Sequence, residues 1–178
     1  MATRTLPAQA YLRQCFDYDP QTGVLTWRDR PREHFNTDQS HKCWTTKWPG
    51  KPAGSPNCKG YMQVGLVGTL LLNHRIIWQL VHGMVPATLD HVNGNRLDNR
   101  LANIRPCTAS QNMMNRKLGG SKSGFRGVRK LKRGGWEVRI TVSRQQYTVG
   151  SYPTIEDAIT ARIEAEARMF GDFAYQSG

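Results

Sequence analysis

The sequence predicts an α+β protein in two parts, and three observations carry that prediction. Short stretches alternate apolar and polar residues with a period of two, as at Val24-Leu25-Thr26-Trp27 and from Gly60 to Val67. Helical periodicity appears in separate segments, His74 to His82 and Thr154 to about Phe170, each placed after a group of strands. Between the two groups, Arg116 to Gly124 is small, polar and positively charged, the composition of a linker.

The 178 residues allow one medium domain or two small ones with modest cores. The 25 Lys and Arg outnumber the 13 Asp and Glu, and the net charge of +12 favours nucleic acid or an anionic surface over acidic partners. No apolar run approaches the roughly 18 residues of a membrane span, and the N-terminus has no signal-peptide pattern. The expectation is a protein with no membrane association, cytoplasmic in its host cell. Cys15, Cys43, Cys58 and Cys107 are scattered without a CxxC pair, so neither a structural zinc nor a disulfide framework is expected.

Taken in order, Tyr11 to Trp27 reads as a short helix, a turn at Asp19-Pro20 and Thr22-Gly23, and the first strand. Residues 28 to 56 lose periodicity and collect prolines and glycines, which predicts a long irregular loop. Its Trp44 and Trp48 either track a nucleic-acid backbone together with neighbouring lysines or plug a gap under that loop. Gly60 to Val67 and Leu70 to His74 read as a hairpin turning at Gly68-Thr69. A helix follows to His82, with Ile76, Ile77, Leu80 and Val81 on its apolar face and Gly83 as its stop. Beyond the linker, Phe125 to Arg129, Trp136 to Val142 and Gln146 to Gly150 predict three antiparallel strands. Thr154 then caps a helix with Ile155, Ala158, Ile159, Ile163, Ala167 and Phe170 buried.

The chemistry is concentrated between Asp90 and Asn115, DHVNGNRLDNRLANIRPCTASQNMMN. Asp and Asn oxygens are hard donors suited to Mg²⁺, and a neutral imidazole beside them can accept a proton from water near neutral pH. Asp90 and His91 are adjacent on a strand-like segment, Asn103 follows in a loop, and Asn112 falls on a helix-like segment. The same residues taken alone also suit a hydrated loop rich in turn formers, and Asn99 and Asn115 read as turn or helix-end residues. His74 and Arg75 either reach a substrate phosphate or, for His74, make a structural hydrogen bond. His34, His41 and His82 read as surface or packing residues.

On Asp90-His91, Asn103, Asn112 and the wider string LNHRIIWQLVHG…DHVNGNRLDNRLANIRPCTASQNMMNR, the sequence resembles the HNH nucleases with their ββα-metal motif, especially the homing-type enzymes of phages and introns. The resemblance implies that His91 is the general base and that Asp90 and Asn112 hold one Mg²⁺ or Mn²⁺ ion per site. It further implies that Asn103 orients the histidine and its loop. Asn in place of a second His at the last ligand leans toward the harder ions over zinc. The implied product ends are 5′-phosphate and 3′-hydroxyl.

The C-terminal part, on SGFRGVRK, GGWEVRITV, YTVGSYPTIEDA and MFGDFA, resembles the AP2 DNA-binding domain. That implies a sheet laid in the major groove of duplex DNA, with Arg126, Arg129, Trp136 and Arg139 at matching positions, and the basic Lys130 and Arg144 are expected to contact DNA beside them. From Lys122 to Arg144 the eight basic residues also include Lys122, Lys132 and Arg133, against Glu137 alone, a balance suited to phosphates and guanine edges.

The expectation is therefore a phage-encoded, homing-type HNH DNA endonuclease. Its domains are 1–117 (nuclease, core 60–117, extension 1–59), a linker at 118–124, and 125–178 (AP2-like). One site per chain implies a monomer that nicks or a dimer that breaks both strands. The alternatives are a catalytically inactive DNA-binding regulator and a phage nuclease selective for RNA or branched structures.

Overall fold

The computed structural model describes residues 5–115, 123–142 and 145–174, and it is a mixed α/β arrangement of several small sheets and helices. The chain divides into two compact units: one runs through His91 and includes Asn95–Pro106, the other comprises Val92–Gly94 and the chain from Cys107 onward. Residues 118–122 of the expected linker lie outside the described residues.

In the first unit, α1 (Gln9–Cys15) leads into a hairpin of β1 (Phe16–Asp19) and β2 (Val24–Trp27), paired from Phe16↔Trp27 to Asp19↔Val24. Asp19 closes the turn by accepting from the Gln21 amide and the Thr22 hydroxyl. Gly23 sits at φ +76°, where a Cβ would lie 2.5 Å from the Arg100 nitrogen, so both its conformation and its close approach require glycine.

The stretch from 28 to 56 is not the irregular loop that its composition predicts. It contains a 3₁₀ turn (Arg32–His34) and the ten-residue α2 (Asp38–Lys47). Thr37 and Ser40 form a reciprocal capping box at its start, satisfying amides the first turn leaves open. No α2 residue is fully buried, so the helix carries little apolar periodicity for a sequence reading to detect. Its Trp44 packs edge-on against Trp27 with centroids 4.6 Å apart, and the buried Arg30 guanidinium lies 4.8 Å from the Trp44 ring centroid. Trp44 thus joins the core periphery.

A three-stranded sheet follows, β3 (Ser55–Pro56), β4 (Met62–Leu66) and β5 (Thr69–Leu72), in that order. The β4–β5 turn is Val67-Gly68, one residue earlier than expected, with φ of 49° and 66°, the double left-handed geometry that matches strand twist. The return strand ends at Leu72, because Asn73 and His74 already form the first turn of α3 (Asn73–His82). Ile76, Ile77 and Leu80 are buried as expected. Val81 is 43% exposed, and the inner face instead takes Asn73, whose amide donates to Ala53 O at 2.9 Å, and His74. With Leu12, Phe16, Leu25, Val64 and Leu71 these residues make one core that also includes Leu89 of β6 (Leu89–His91) and Ile104 of β7 (Ile104–Pro106).

The second unit holds α4 (Ala109–Met114), capped by Thr108 and Gln111, and a sheet of β8 (Val128–Lys130), β9 (Trp136–Val142) and β10 (Gln145–Tyr152) in the order β10-β9-β8. On it packs α5 (Ile155–Phe170), with Thr154 accepting from the Asp157 amide at its start. Val128, Val138 and Ala158 form one buried cluster; Ile140, Ala165 and Phe170 form a second. The buried stripe of α5 is rotated from the expected one. Ile163 is 51% exposed and Ala167 is exposed, while Arg162 and Glu166 lie inside. Arg162 offsets part of the cost of its burial by donating from Nη2 to Glu166 at 2.6 Å and from Nε to Arg126 O at 3.1 Å, so an ion pair occupies a face that hydrophobicity alone assigns to isoleucine.

Candidate active site

β6 and β7 pair antiparallel, with Asp90 opposite Arg105 and His91 opposite Ile104. Strand alternation sends Asp90 and His91 to opposite faces of this ribbon, and all three β6 residues are buried. Asp90 Oδ2 accepts from both Nε (3.2 Å) and Nη2 (3.0 Å) of Arg105, so the carboxylate enters the interior already paired.

His91 is 4% exposed, and its Nε2 lies 3.1 Å from Asn99 Oδ1. An amide oxygen only accepts, so Nε2 carries the proton and Nδ1 is the basic nitrogen of the neutral ring. The Asn99 amide group points to Leu97 O at 3.4 Å, consistent with that orientation. Burial lowers the His91 pKa, opposed by the bond to Asn99 and by the charges of Asp90 and Asp98.

Asn99 is in turn fixed from the N-terminal hairpin. The Tyr18 hydroxyl donates to Asn99 O at 3.1 Å and accepts from the Leu101 amide at 2.8 Å, while Gly23 lies hard against the same backbone. Asn103, buried, donates to Asp98 O at 2.8 Å and so braces the loop. The resemblance implies that Asn103 orients the histidine and its loop; here it braces the loop through Asp98 O, and Asn99 is the residue at Nε2. An asparagine within a run of turn formers gives no linear sign that its side chain folds back eight residues.

Beside His91, ring to ring, stands His74, with centroids 5.0 Å apart and planes at 76°. His74 is 5% exposed, its buried Nδ1 has no hydrogen-bond partner among the described residues, and burial together with the neighbouring His91 and Arg75 charges pushes its pKa down to about 3. Tyr61 completes a three-ring group, 5.5 Å from His74 and 6.0 Å from His91. Arg75 is half-buried and donates to Ala87 O at 3.4 Å. Asn112 lies within α4, in the second unit.

The expected DNA-contacting residues of the second unit separate into three kinds of environment. Arg129 and Arg139 share one sheet face and both pair with Glu137, Arg139 Nε at 2.7 Å; the Arg129 bond is the main reason the Glu137 pKa is lowered. Trp136 packs on the Val128–Val138 cluster, and Lys130 is exposed at the end of β8. Arg126 precedes β8 and turns to Glu166 (3.3 Å) and Met113 O (3.2 Å), away from the strand positions expected for it. Arg144 lies outside the described residues.

A buried histidine with its proton on Nε2, next to a buried carboxylate on a two-stranded ribbon, has the chemistry to accept a proton at Nδ1. Residues 72–114 match the family model described as HNH endonuclease, and that segment spans α3, β6, β7 and α4. The chain is also similar to the "uncharacterized HNH endonuclease L560" of Acanthamoeba polyphaga mimivirus, 29% identical over 104 residues. Those residues are 57% of this chain, and the match spans about half the length (54%) of that relative. No solved structure matches the chain significantly. Residues 72–114 are thus similar to the HNH endonucleases, a family whose members generally use divalent metal ions. No described helix is long and apolar enough to cross a membrane.

Among the described residues, no three His, Cys, Asp or Glu side chains are grouped to hold a metal ion. A cation at Asp90 would rely on one carboxylate, with amide, phosphate and water oxygens completing the shell. That donor set fits Mg²⁺ or Mn²⁺, which keep several waters.

Proposed function

We propose that the protein is a metal-dependent, homing-type HNH DNA endonuclease of phage origin, with His91 as general base. The observation that carries this reading is the bond from His91 Nε2 to Asn99 Oδ1, which puts the proton on Nε2 and makes Nδ1 the basic nitrogen of the neutral ring. In the proposed reaction Nδ1 takes a proton from the attacking water, and the Asn99 oxygen and nearby Asp90 stabilise the imidazolium that forms. The Asp90 carboxylate is the proposed metal ligand, and Asn112 keeps the second ligand role that the sequence resemblance implies. The divalent ion would supply charge stabilisation at the leaving oxygen. Buried His74 packs the base from the side and is assigned a positioning role.

The C-terminal unit is proposed as the AP2-like reader of duplex DNA, with the Arg129 and Arg139 face toward the substrate, Glu137 holding the two arginines in register and Lys130 adding charge at the strand end. One site per chain nicks one strand, and a double-strand break needs two chains or two visits. The deciding experiment is Mg²⁺-dependent nicking of supercoiled DNA by the purified His91→Ala variant. Loss of nicking with retained DNA binding is expected, and unchanged nicking would remove His91 from the reaction.

A further inference from the structure

The loop joining His91 to Asn103 carries Arg96 and Arg100, and Arg105 follows on β7. Two of these arginines are paired with carboxylates: Arg100 with Asp98 at 2.6 Å and Arg105 with Asp90 at 3.0 Å. Arg96 is held differently. Its guanidinium carbon lies 4.7 Å from the Tyr61 ring centroid, and Nη1 donates to Lys59 O at 2.8 Å. No carboxylate pairs with it among the described residues, so its charge is seated on a ring and a carbonyl, neither of which neutralises it.

The seat is also well placed. Tyr61 packs against His74 and His91, so the ring supporting Arg96 is part of the wall around the candidate base. Asn95 braces the loop by accepting from the Leu97 amide through its side chain and from the Asp98 amide through its carbonyl. An exposed cation–π contact contributes only about 0.5–1 kcal/mol, a weak reason to hold an uncompensated cation beside a base that must itself become positive. A guanidinium has five N–H donors; Lys59 takes one, and the planar fork suits phosphate oxygens.

We propose that Arg96 binds a phosphate of the DNA substrate at the nuclease site, presented by the Tyr61 ring and the Lys59 carbonyl. The assignment rests on the nuclease reading, but its test does not require cleavage. Binding of a fluorescent 30-bp DNA duplex by the full chain is measured in EDTA across a KCl series, for wild type, Arg96→Ala, Arg96→Lys and Tyr61→Leu. Loss of one phosphate contact reduces the slope of log affinity against log salt by about 0.9, an affinity loss of about eightfold at 0.1 M salt. Arg96→Ala shows that reduction with an unchanged melting temperature, Arg96→Lys retains most of the slope, and Tyr61→Leu falls between. An unchanged slope in a normally folded Arg96→Ala protein overturns the proposal and leaves His91 catalysis untouched. A melting temperature lowered in Arg96→Ala but restored by Arg96→Gln, with the slope still at the wild-type value, assigns Arg96 to loop structure alone and also overturns it. Failure of the wild type to bind duplex DNA overturns both readings, whereas normal slopes and slope losses with an inactive wild type overturn only the nuclease reading.

Discussion

The side-chain oxygen of Asn99 lies 3.1 Å from His91 Nε2, and that contact decides which ring nitrogen can act as a base. Replacing Asn99 with Ala removes the acceptor that fixes the tautomer and stabilises the imidazolium. We expect kcat for nicking to fall roughly 10- to 100-fold with KM little changed, since supporting shells of this kind typically act at that scale. A KM effect with unchanged kcat would place Asn99 in substrate binding.

His74 gives an acid-stability prediction. Its folded pKa of about 3 lies below its ordinary value of 6.5, so between those limits the unfolded chain binds more protons than the folded one. The stability associated with keeping His74 neutral is fully present above about pH 6.5 and is lost as pH falls toward 3. The full span is on the order of 5 kcal/mol from about 1.4 kcal/mol per pKa unit. Urea midpoints measured from pH 7 to pH 4 should fall for wild type and fall less for His74→Asn. Parallel curves would show that His74 does not set the acid limb.

Arg105 pairs with the carboxylate proposed to hold the metal. Arg105→Gln removes a competing cation while keeping a donor in place, so Mn²⁺ affinity by calorimetry should tighten several-fold. Weaker binding would mean that Arg105 chiefly shapes the carboxylate's position.

Gly23 offers a test far from the ribbon in sequence. An alanine there would place Cβ 2.6 Å from the Asn99 carbonyl carbon at φ +76°, so either the turn or the Asn99 loop must shift. Destabilisation of about 1–3 kcal/mol and a lower kcat should appear together. A stability loss with kcat unchanged would show that the hairpin yields and the loop does not.

How legible each part was depended on how local its cause is. The strands of the C-terminal sheet announce themselves because one face is buried, so Val138 and Ile140 alternate with Glu137, Arg139 and Thr141. Asp90 and His91 stand out because a carboxylate and an imidazole are adjacent in the chain. The α2 helix was hidden because its start is fixed by Thr37 and Ser40 instead of an apolar stripe. The inner face of α5 was misplaced because Arg162 and Glu166 neutralise one another inside, a pairing that hydrophobicity does not encode. Asn99 reads from the sequence as a turn residue because the groups that fix it, Tyr18 and Gly23, are roughly eighty residues away and recognisable only after folding.

The Tyr18 hydroxyl therefore reaches further than a packing contact. The segment that matches the endonuclease family begins at residue 72, yet the peptide presenting Asn99 to His91 is gripped on both sides by a phenol from the first twenty residues. Transplanting the matched segment alone would carry the reactive groups and leave behind the clasp that aims them. A portable cutting module from this chain must include the N-terminal hairpin, and sequence drift there should be heard at the active site.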